Sequence, residues 1–144
     1  MSTEQILGIN FFSGEVDQAI DLMSERGGFL VAPSGACFER LRRDEIYREA
    51  MLNADVVIPD SGAMVLLWSL FGGRKLTRIS GLKYLHCLSD KFFAERHNDV
   101  FWVVRSEKAR GTTGRWLDQN NFRFSSDDFY VAPIYGPVVG GPAS

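Results

Sequence analysis

The chain has 144 residues, of which 45% are apolar and 24% charged, and its net charge is −2. These values are typical of one globular domain with a hydrophobic core, and they exclude a general nucleic-acid-binding protein, which would have an excess of basic residues. Two cysteines, Cys37 and Cys87, are too few for a disulfide framework or a zinc site, so we interpret both as reduced, buried thiols. We expect no signal peptide and no membrane span, and therefore a cytoplasmic protein.

Short apolar strands alternate with helices along the first half of the chain. The predicted elements, in chain order, are a strand at 6–12, a helix that ends at Gly27-Gly28, a strand at 29–32, a helical segment at 36–53 and a strand at 55–58. Ser13 is a candidate N-cap for the first helix. The basic residues Arg40, Arg42 and Arg43 lie in the middle of the 36–53 segment. There we expect a break between two helices, with a solvated charged face rather than a phosphate site.

The strand at 55–58 is followed by Pro59-Asp60-Ser61-Gly62 and then by an apolar helix that ends at Gly72-Gly73. An acid at the carboxyl end of a strand, with a helix beginning just beyond it, occupies the place where open α/β sheets bind ligands. The helix is apolar nearly all round, which favours a buried core helix over a lipid-facing one. On pattern alone, Asp60 or Ser61 is an N-cap for that helix.

The second half predicts a helix at 82–97, a strand at 100–104, a helix at 106–119 interrupted at Gly111, and a strand at 128–132. The strand at 100–104 is continuously apolar, which indicates burial on both faces. The alternation predicts an α/β fold with a Rossmann-like, mostly parallel sheet covered by helices on both faces. We expect one domain at residues 1–136, a Gly/Pro-rich tail at 137–144, and a sheet that is incomplete at its carboxyl-terminal edge.

Three motifs in this order resemble the WecG/TagA/CpsF glycosyltransferases. They are Gly8-Ile9-Asn10-Phe11, the run Ala54-Asp55-Val56-Val57-Ile58-Pro59-Asp60-Ser61-Gly62, and Gly72-Gly73 followed by Arg78-Ile79-Ser80-Gly81. The resemblance implies an inverting transfer of a hexose from a UDP-sugar to an undecaprenyl-diphosphate-linked saccharide in the synthesis of cell-surface polysaccharide. The hexose would be N-acetylmannosamine, its uronic acid, glucuronic acid or a similar sugar. It implies a peripheral protein at the inner face of the membrane, no metal, and no cofactor besides the UDP-sugar substrate.

The resemblance also assigns roles to residues. It places the family's proposed catalytic base on Asp60 and its diphosphate-binding arginine on Arg78. A carboxylate can accept the acceptor's proton, and a guanidinium can bind a diphosphate with two parallel hydrogen bonds. Ser61 and Gly62 open a helix, whose free N–H groups suit an anion or a sugar. Ser80 and Gly81 complete the arginine motif and are expected in the same site.

The sequence departs from the family at the turn after the second strand. The family's Thr-x-Asn falls on Ala32-Pro33-Ser34, so an alanine and a serine replace two groups that would orient the donor or acceptor. An alternative of another class is therefore a catalytically impaired module that binds a nucleotide-sugar or a partner. A dinucleotide-dependent enzyme is disfavoured, since no turn has G-x-G-x-x-G. The sequence leaves open whether the chain forms homo-oligomers.

Overall fold

The computed structural model describes residues 2–35, 37–71, 76–95 and 99–133. The chain divides into two compact units, Met1–Ser89 and Asp90–Ser144, and both combine helices with parallel strands. The elements of the first unit are β1 (Thr3–Ile6), β2 (Ile9–Phe12), α1 (Val16–Arg26), β3 (Leu30–Val31), α2 (Cys37–Arg43), α3 (Glu45–Leu52), β4 (Val56–Val57), α4 (Gly62–Leu70) and the start of α5 (Gly81–Glu95). The predicted α/β fold class is confirmed. The predicted tail at 137–144 lies outside the described residues.

The first unit is built on a four-stranded sheet in the order β1-β2-β4-β3. β1 is antiparallel to β2, whereas β4 is parallel to both of its neighbours. The register of the three parallel strands pairs Val57 of β4 with Phe11 of β2 and with Val31 of β3. The sheet is therefore mostly parallel, and β4 is an inner strand.

A β-hairpin replaces the single strand predicted at 6–12. The chain reverses at Leu7 and Gly8, whose φ angles are 53° and 82°. Two successive residues with positive φ are typical of the two-residue turns whose twist matches that of the adjoining strands. The prediction of one strand was wrong because leucine rarely adopts a positive φ, so Leu7-Gly8 did not indicate a turn.

Alternate residues of the strands point to opposite faces of the sheet, and helices cover both faces. On one face, Phe12, Val56 and Ile58 pack with residues of α1 and α5, namely Val16, Ala19, Ile20 and Tyr84. On the other face, Ile9, Phe11 and Val57 pack with residues of α2, α3 and α4, among them Phe38, Leu41, Met51, Met64 and Trp68. The predicted coverage of both faces is confirmed.

The structure fixes where α1 begins and where the 36–53 segment breaks. α1 begins after Glu15 rather than Ser13, and the amide of Glu15 donates to Gln18 Oε1 at 2.9 Å. The break predicted in the 36–53 segment is confirmed and lies at Asp44. The carboxylate of Asp44 accepts a hydrogen bond from the amide of Tyr47 at 2.9 Å and so caps α3.

α4 is not the buried core helix that its composition favoured. None of its residues is buried, and Leu66, Leu70 and the C-cap Phe71 are 60%, 72% and 84% exposed. The reason is that a helix beside a sheet packs one side only, here through Met64, Val65 and Trp68. The predicted stop at Gly72-Gly73 lies outside the described residues.

The second unit contains β5 (Trp102–Val104), α6 (Glu107–Gln119), a 3₁₀ turn (Ser126–Asp128) and β6 (Phe129–Val131). β5 and β6 are parallel and α6 connects them. The burial predicted for both faces of β5 was wrong, since Phe101 and Val103 are 62% and 66% exposed. Among the described residues of this unit, one face of the strands is covered, by an aromatic cluster made of Phe93, Trp102, Trp116, Phe122 and Phe129. The interruption predicted at Gly111 is absent, because α6 is continuous there.

Membrane-spanning helices were also sought in the described ranges. In those ranges no helix combines the length and the apolar character that crossing a bilayer requires.

A glycine two residues before β3 provides a stability test. Gly28 has a φ of 111°, and a Cβ there would lie 2.5 Å from Asp55 Oδ2. The same carboxylate accepts a hydrogen bond from the amide of Phe29 at 2.7 Å, which fixes the entry to β3. We expect Gly28→Ala to lower the free energy of unfolding by ~1–3 kcal/mol in urea denaturation, through the strained φ and the displaced carboxylate.

The matched control is Gly111→Ala in α6, where a Cβ would meet nothing within 4 Å. Alanine favours a helix interior over glycine by ~0.5–1 kcal/mol, so this variant should gain stability. Equal stability of the Gly28→Ala variant and the wild type would refute the assigned role of Asp55.

Candidate active site

β4 is an inner strand of the sheet, with β2 on one side and β3 on the other, so its carboxyl end lies between the ends of two neighbouring strands. Beyond β4 the chain passes through Ile58 and Pro59, which are both buried. The amide of Asp60 donates to the carbonyl of Ile58 at 3.0 Å, which closes a three-residue turn around Pro59. The fixed φ of proline suits this turn. It holds Asp60 at the rim of the sheet with 24% of its side chain exposed.

The loops that follow β2 and β4 lead to opposite faces of the sheet. α1, which follows β2, belongs to the core cluster on one face, and α4, which follows β4, packs against the cluster on the other. Open α/β sheets bind ligands at the carboxyl ends of strands where successive connections part in this way. Asp60 therefore lies at the edge that this topology makes available to a ligand.

Ser61, not Asp60, caps α4. The hydroxyl of Ser61 accepts a hydrogen bond from the amide of Met64 at 3.3 Å, and the serine is 7% exposed. Gly62 is the first helical residue. Because Ser61 provides the cap, the carboxylate of Asp60 is not needed for that structural role.

Arg78 reaches the turn from a distant part of the sequence. The amide of Ile79 donates to the carbonyl of Pro59 at 3.2 Å, so the segment before α5 lies beside the end of β4. Arg78 Nε donates to the backbone carbonyl of Asp60 at 2.7 Å, and Nη2 lies 3.4 Å from Asp60 Oδ1. The short contact is to the backbone, and 55% of the arginine side chain is exposed. The guanidinium is thus anchored through Nε while its outer nitrogens remain accessible.

Gly62 and Gly81 provide the space around this pair. A Cβ on Gly62 would lie 3.5 Å from Arg78 Cδ, so the arginine side chain passes beside this glycine. A Cβ on Gly81 would lie 3.1 Å from the Cβ of Ala32 and 3.7 Å from Asp60 Oδ2. Gly81 therefore marks the point where the end of β3, the acid and the start of α5 come together.

Ser80 and Ser34 lie next to these residues but have local partners. The hydroxyl of Ser80 accepts from the amide of Lys83 at 3.1 Å and caps α5. Ser34 Oγ lies 3.4 Å from Cys37 Sγ. The turn after β3 approaches the acid through Gly35 instead, where a Cβ would lie 3.3 Å from Ser61 Oγ.

Most of the predicted site residues are therefore brought together. Contacts join Arg78 to Asp60 and Gly62, and Gly81 to Asp60 and Ala32. Ser61 and Ser80 adjoin these residues in sequence, and the hydroxyl of Ser34 contacts Cys37. Sequence reasoning missed Gly35, although its place in Pro33-Ser34-Gly35 was a turn signal. Among the residues that the structure describes, no group of three or more His, Cys, Asp or Glu side chains could hold a metal ion.

Cys37 has a distinct environment beside this turn, and the prediction that both cysteines are buried was wrong because both are only half-buried. The hydrogen bond from Ser34 is the largest influence that lowers the pKa of the Cys37 thiol, and a hydrogen bond from Tyr47 adds to it. Burial, with a smaller contribution from Cys37, raises the pKa of Tyr47 to about 12. Tyr47 therefore keeps its proton, and its hydroxyl can donate a hydrogen bond to the thiolate.

These shifts predict the pH dependence of alkylation. A group whose pKa is lowered ionises at lower pH, and the thiolate is the reactive form. In a Cys87→Ser background, the rate of reaction of Cys37 with iodoacetamide should therefore rise at lower pH than that of a free cysteine peptide. Ser34→Ala should move the profile to higher pH, and Tyr47→Phe should move it by less. A profile that neither substitution moves would contradict the assigned contacts.

One family model matches the chain, over residues 4–121, and its description is the glycosyl transferase WecG/TagA/CpsF family. The chain belongs to this family. The match spans most of the chain and includes Asp60, Arg78 and the turn after β3. A comparison with curated proteins finds no match.

Membership in the WecG/TagA/CpsF family confirms the resemblance drawn from the three motifs. The family consists of glycosyltransferases, and its activity implies a nucleotide-sugar donor and an acceptor. It also connects the chain with polysaccharide biosynthesis. Asp60, Arg78 and their neighbours at the carboxyl end of β4 lie within the family match, so this end of the sheet is the candidate active site.

Proposed function

We propose that the chain transfers a hexose, with inversion, from a UDP-sugar to a lipid-diphosphate-linked acceptor. The observation that supports this most strongly is the pairing of Asp60 and Arg78 at the ligand-binding edge of the sheet. An acid for proton transfer and a cation for a diphosphate are the two groups that such a reaction needs without a metal. They are 18 residues apart in sequence, and the Ile79–Pro59 hydrogen bond brings their segments together.

Asp60 would act as the general base. Its carboxylate would take the proton of the acceptor hydroxyl while that oxygen attacks the anomeric carbon from the face opposite the departing UDP. Two features suit this role: the cap on α4 is provided by Ser61, and a quarter of the Asp60 side chain is open to solvent. The absence of a side chain at Gly81 leaves room beside Asp60 Oδ2 for the reacting hydroxyl.

Arg78 would bind the diphosphate and stabilise the charge that develops on the leaving UDP. Its Nε is held by the carbonyl of Asp60, so the guanidinium is pre-oriented and little side-chain freedom is lost on binding. The weak 3.4 Å contact with the Asp60 carboxylate can yield to a phosphate. Donor binding would thus release Asp60 from its only side-chain cation among the described residues.

The exposed side of α4 supports a lipid-linked acceptor. The helix begins at Gly62, two residues after the candidate base, contains no charged residue, and exposes Leu66 and Leu70. A polyprenyl chain could lie along this side while its saccharide reaches Asp60, and the same side could rest against a membrane surface. The protein would then act at the inner face of the cell membrane.

The proposal is tested by measuring UDP release from a panel of UDP-hexoses, with acceptors that differ only in the length of the lipid. The panel includes UDP-N-acetylmannosamine, its uronic acid and UDP-glucuronic acid. We expect turnover with one donor and an acceptor-dependent rate. The double variant Leu66→Asn/Leu70→Asn should raise KM for the long-chain acceptor about tenfold and leave a short-chain acceptor unaffected. No turnover with any donor, despite UDP binding, would contradict the transferase proposal.

The second candidate function is a module that binds a nucleotide-sugar without transfer. The observation that favours it is the turn after β3, where Ala32 presents only a methyl group to Gly81 and Ser34 contacts Cys37. The groups that would orient a donor or acceptor are therefore missing or used elsewhere. Calorimetry with UDP and UDP-sugars distinguishes the two candidates when it is combined with the release assay, because the module predicts binding without turnover.

A further inference from the structure

A cavity of approximately 430 Å³ opens between the β1–β2 turn and the helices α2 and α3. It is lined by Leu7, Ile9, Phe38, Leu41, Arg42 and Arg48. All six belong to the first unit. The volume lies in the lower part of the ~300–1,000 Å³ range of pockets that bind small molecules. The cavity combines an apolar floor with two guanidinium groups.

This cavity is separate from the candidate active site. Leu7 and Ile9 lie at the amino end of β2, whereas Asp60 follows the carboxyl end of β4. Because β2 and β4 are parallel, the two positions lie at opposite ends of the strands. A ligand in the cavity would not occupy the space beside Asp60 and Arg78.

The basic run of α2 was expected to form a solvated charged face, and two of its arginines have acidic partners. Arg40 forms an ion pair with Asp44 at 2.7 Å. Arg43 forms one with Glu39 at 3.1 Å. Both are helical i,i+4 pairs, so the charge of these arginines is balanced locally.

Arg42 and Arg48 differ from their neighbours. Within the described ranges neither forms an ion pair or a side-chain hydrogen bond, and Glu45, which lies between them in sequence, forms no ion pair with either. Arg42 projects from α2 and Arg48 from α3, and both line the same cavity. Two uncompensated guanidinium groups beside one cavity favour an anion, which each can bind with two hydrogen bonds.

The rest of the lining is apolar. Ile9 is 2% exposed and belongs to the core, and Phe38 and Leu41 pack against that core from α2. The Phe38 ring is fixed against Phe11, with ring centroids 6.3 Å apart. Leu7, at the positive-φ turn, is 74% exposed and borders the opening. A small inorganic anion would leave these apolar side chains in contact with water, so a ligand with a hydrocarbon group would fill the cavity better.

We propose that this cavity binds a single-chain amphipathic anion, with a hydrocarbon body on Phe38 and Leu41 and a phosphate or carboxylate head between Arg42 and Arg48. The ligand is a dissolved monomer that enters the cavity, because four of the six lining side chains are apolar and the volume suits one small molecule. The site is independent of the glycosyl transfer proposed at Asp60.

Isothermal titration calorimetry with decyl phosphate and with decanoate, each below its aggregation concentration, tests the proposal. We expect saturable binding of at least one of them. Arg42→Gln and Arg48→Gln should each weaken it about tenfold or more, as expected for a lost charge-assisted hydrogen bond. Arg43→Gln is the matched control, since Arg43 is the next residue of α2 but pairs with Glu39. Its affinity should equal that of the wild type.

Several outcomes would overturn the proposal. Inorganic phosphate that binds as tightly as decyl phosphate would show that the apolar floor is not used. Decanol that binds as tightly would show that the arginines are not used. An equal loss of affinity in Arg43→Gln would show that the ligand responds to the overall positive charge of the helix and not to Arg42 and Arg48 in particular. Co-sedimentation with phosphatidylglycerol vesicles, without binding of either monomer, would assign Arg42 and Arg48 to a membrane surface instead of the cavity.

Discussion

Asp60→Asn should reduce the rate of glycosyl transfer by ~100- to 10,000-fold, the usual contribution of a general base. The amide keeps the shape of the side chain but cannot accept the proton of the acceptor hydroxyl. The fold should be unaffected, since the ion pair with Arg78 is long and half-exposed, and such pairs contribute only ~0–1 kcal/mol. UDP affinity should be unchanged or higher, because a negative charge near the diphosphate is removed.

The matched control for this variant is Asp55→Asn. Asp55 precedes β4 and Asp60 follows it, and the carboxylate of Asp55 binds the amide of Phe29 rather than any candidate site residue. We expect Asp55→Asn to retain transfer. The comparison is made by initial rates of UDP release at saturating donor, with circular dichroism to verify folding. Full activity in Asp60→Asn would remove Asp60 from the mechanism, even if UDP still binds.

Arg78→Gln should lower the transfer rate by ~100- to 1,000-fold, the loss found when one preorganised donor to a developing negative charge is removed. Unlike Asp60→Asn, it should also weaken UDP binding, by about ten- to a hundredfold. Arg78→Lys should be intermediate, since lysine retains the charge but cannot combine the Nε contact to the Asp60 carbonyl with a bidentate grip on phosphate.

The separation of the two effects is the informative result, and calorimetry with UDP together with the release assay measures it. Arg26→Gln provides the control, since Arg26 lies in the last turn of α1, away from the carboxyl end of β4. If Arg78→Gln bound UDP as well as the wild type, the diphosphate would have to lie elsewhere.

The regular elements of the fold followed from local patterns in the sequence. The break between α2 and α3 was predictable because a basic run interrupts an apolar repeat, and the stop of α1 was predictable from Gly27-Gly28. The hairpin was not, because its turn places Leu7 at a positive φ that leucine seldom adopts. The exposure of α4 was not predictable either, since an all-round apolar helix has no polar face to indicate the side turned to solvent.

The candidate site illustrates the same division. Sequence could place Asp60 at a strand end, because a buried strand and a proline-containing turn precede it. It could connect Arg78 with Asp60 only through the order of the family motifs, because the contact depends on a backbone hydrogen bond between Ile79 and Pro59. The assignment of the helix cap to Ser61 rather than Asp60 also required coordinates, since both residue types favour that position.

The turn after β3 determines how the site should be tested. Ala32 and Ser34 replace the family's threonine and asparagine, and the structure gives neither of them a polar group directed at Asp60. If the protein bound UDP without transferring a sugar, the missing polar groups of this turn would explain the loss of transfer. The contact between Arg78 and the diphosphate would explain the retained binding. UDP binding at the end of β4 is therefore common to the transferase and the binding module.

The most direct test of the central claim is to titrate UDP into the ¹⁵N-labelled protein and follow the backbone amide signals. Binding at the carboxyl end of β4 predicts saturable shifts concentrated at Asp60, Ser61, Gly62 and the residues from Arg78 to Gly81. In Arg78→Gln the same shifts should require a UDP concentration about ten- to a hundredfold higher. Signals at Ile9 and Arg48, which line the opposite cavity, should not move. Shifts at the cavity with none at Asp60, or no shifts at all, would contradict the account.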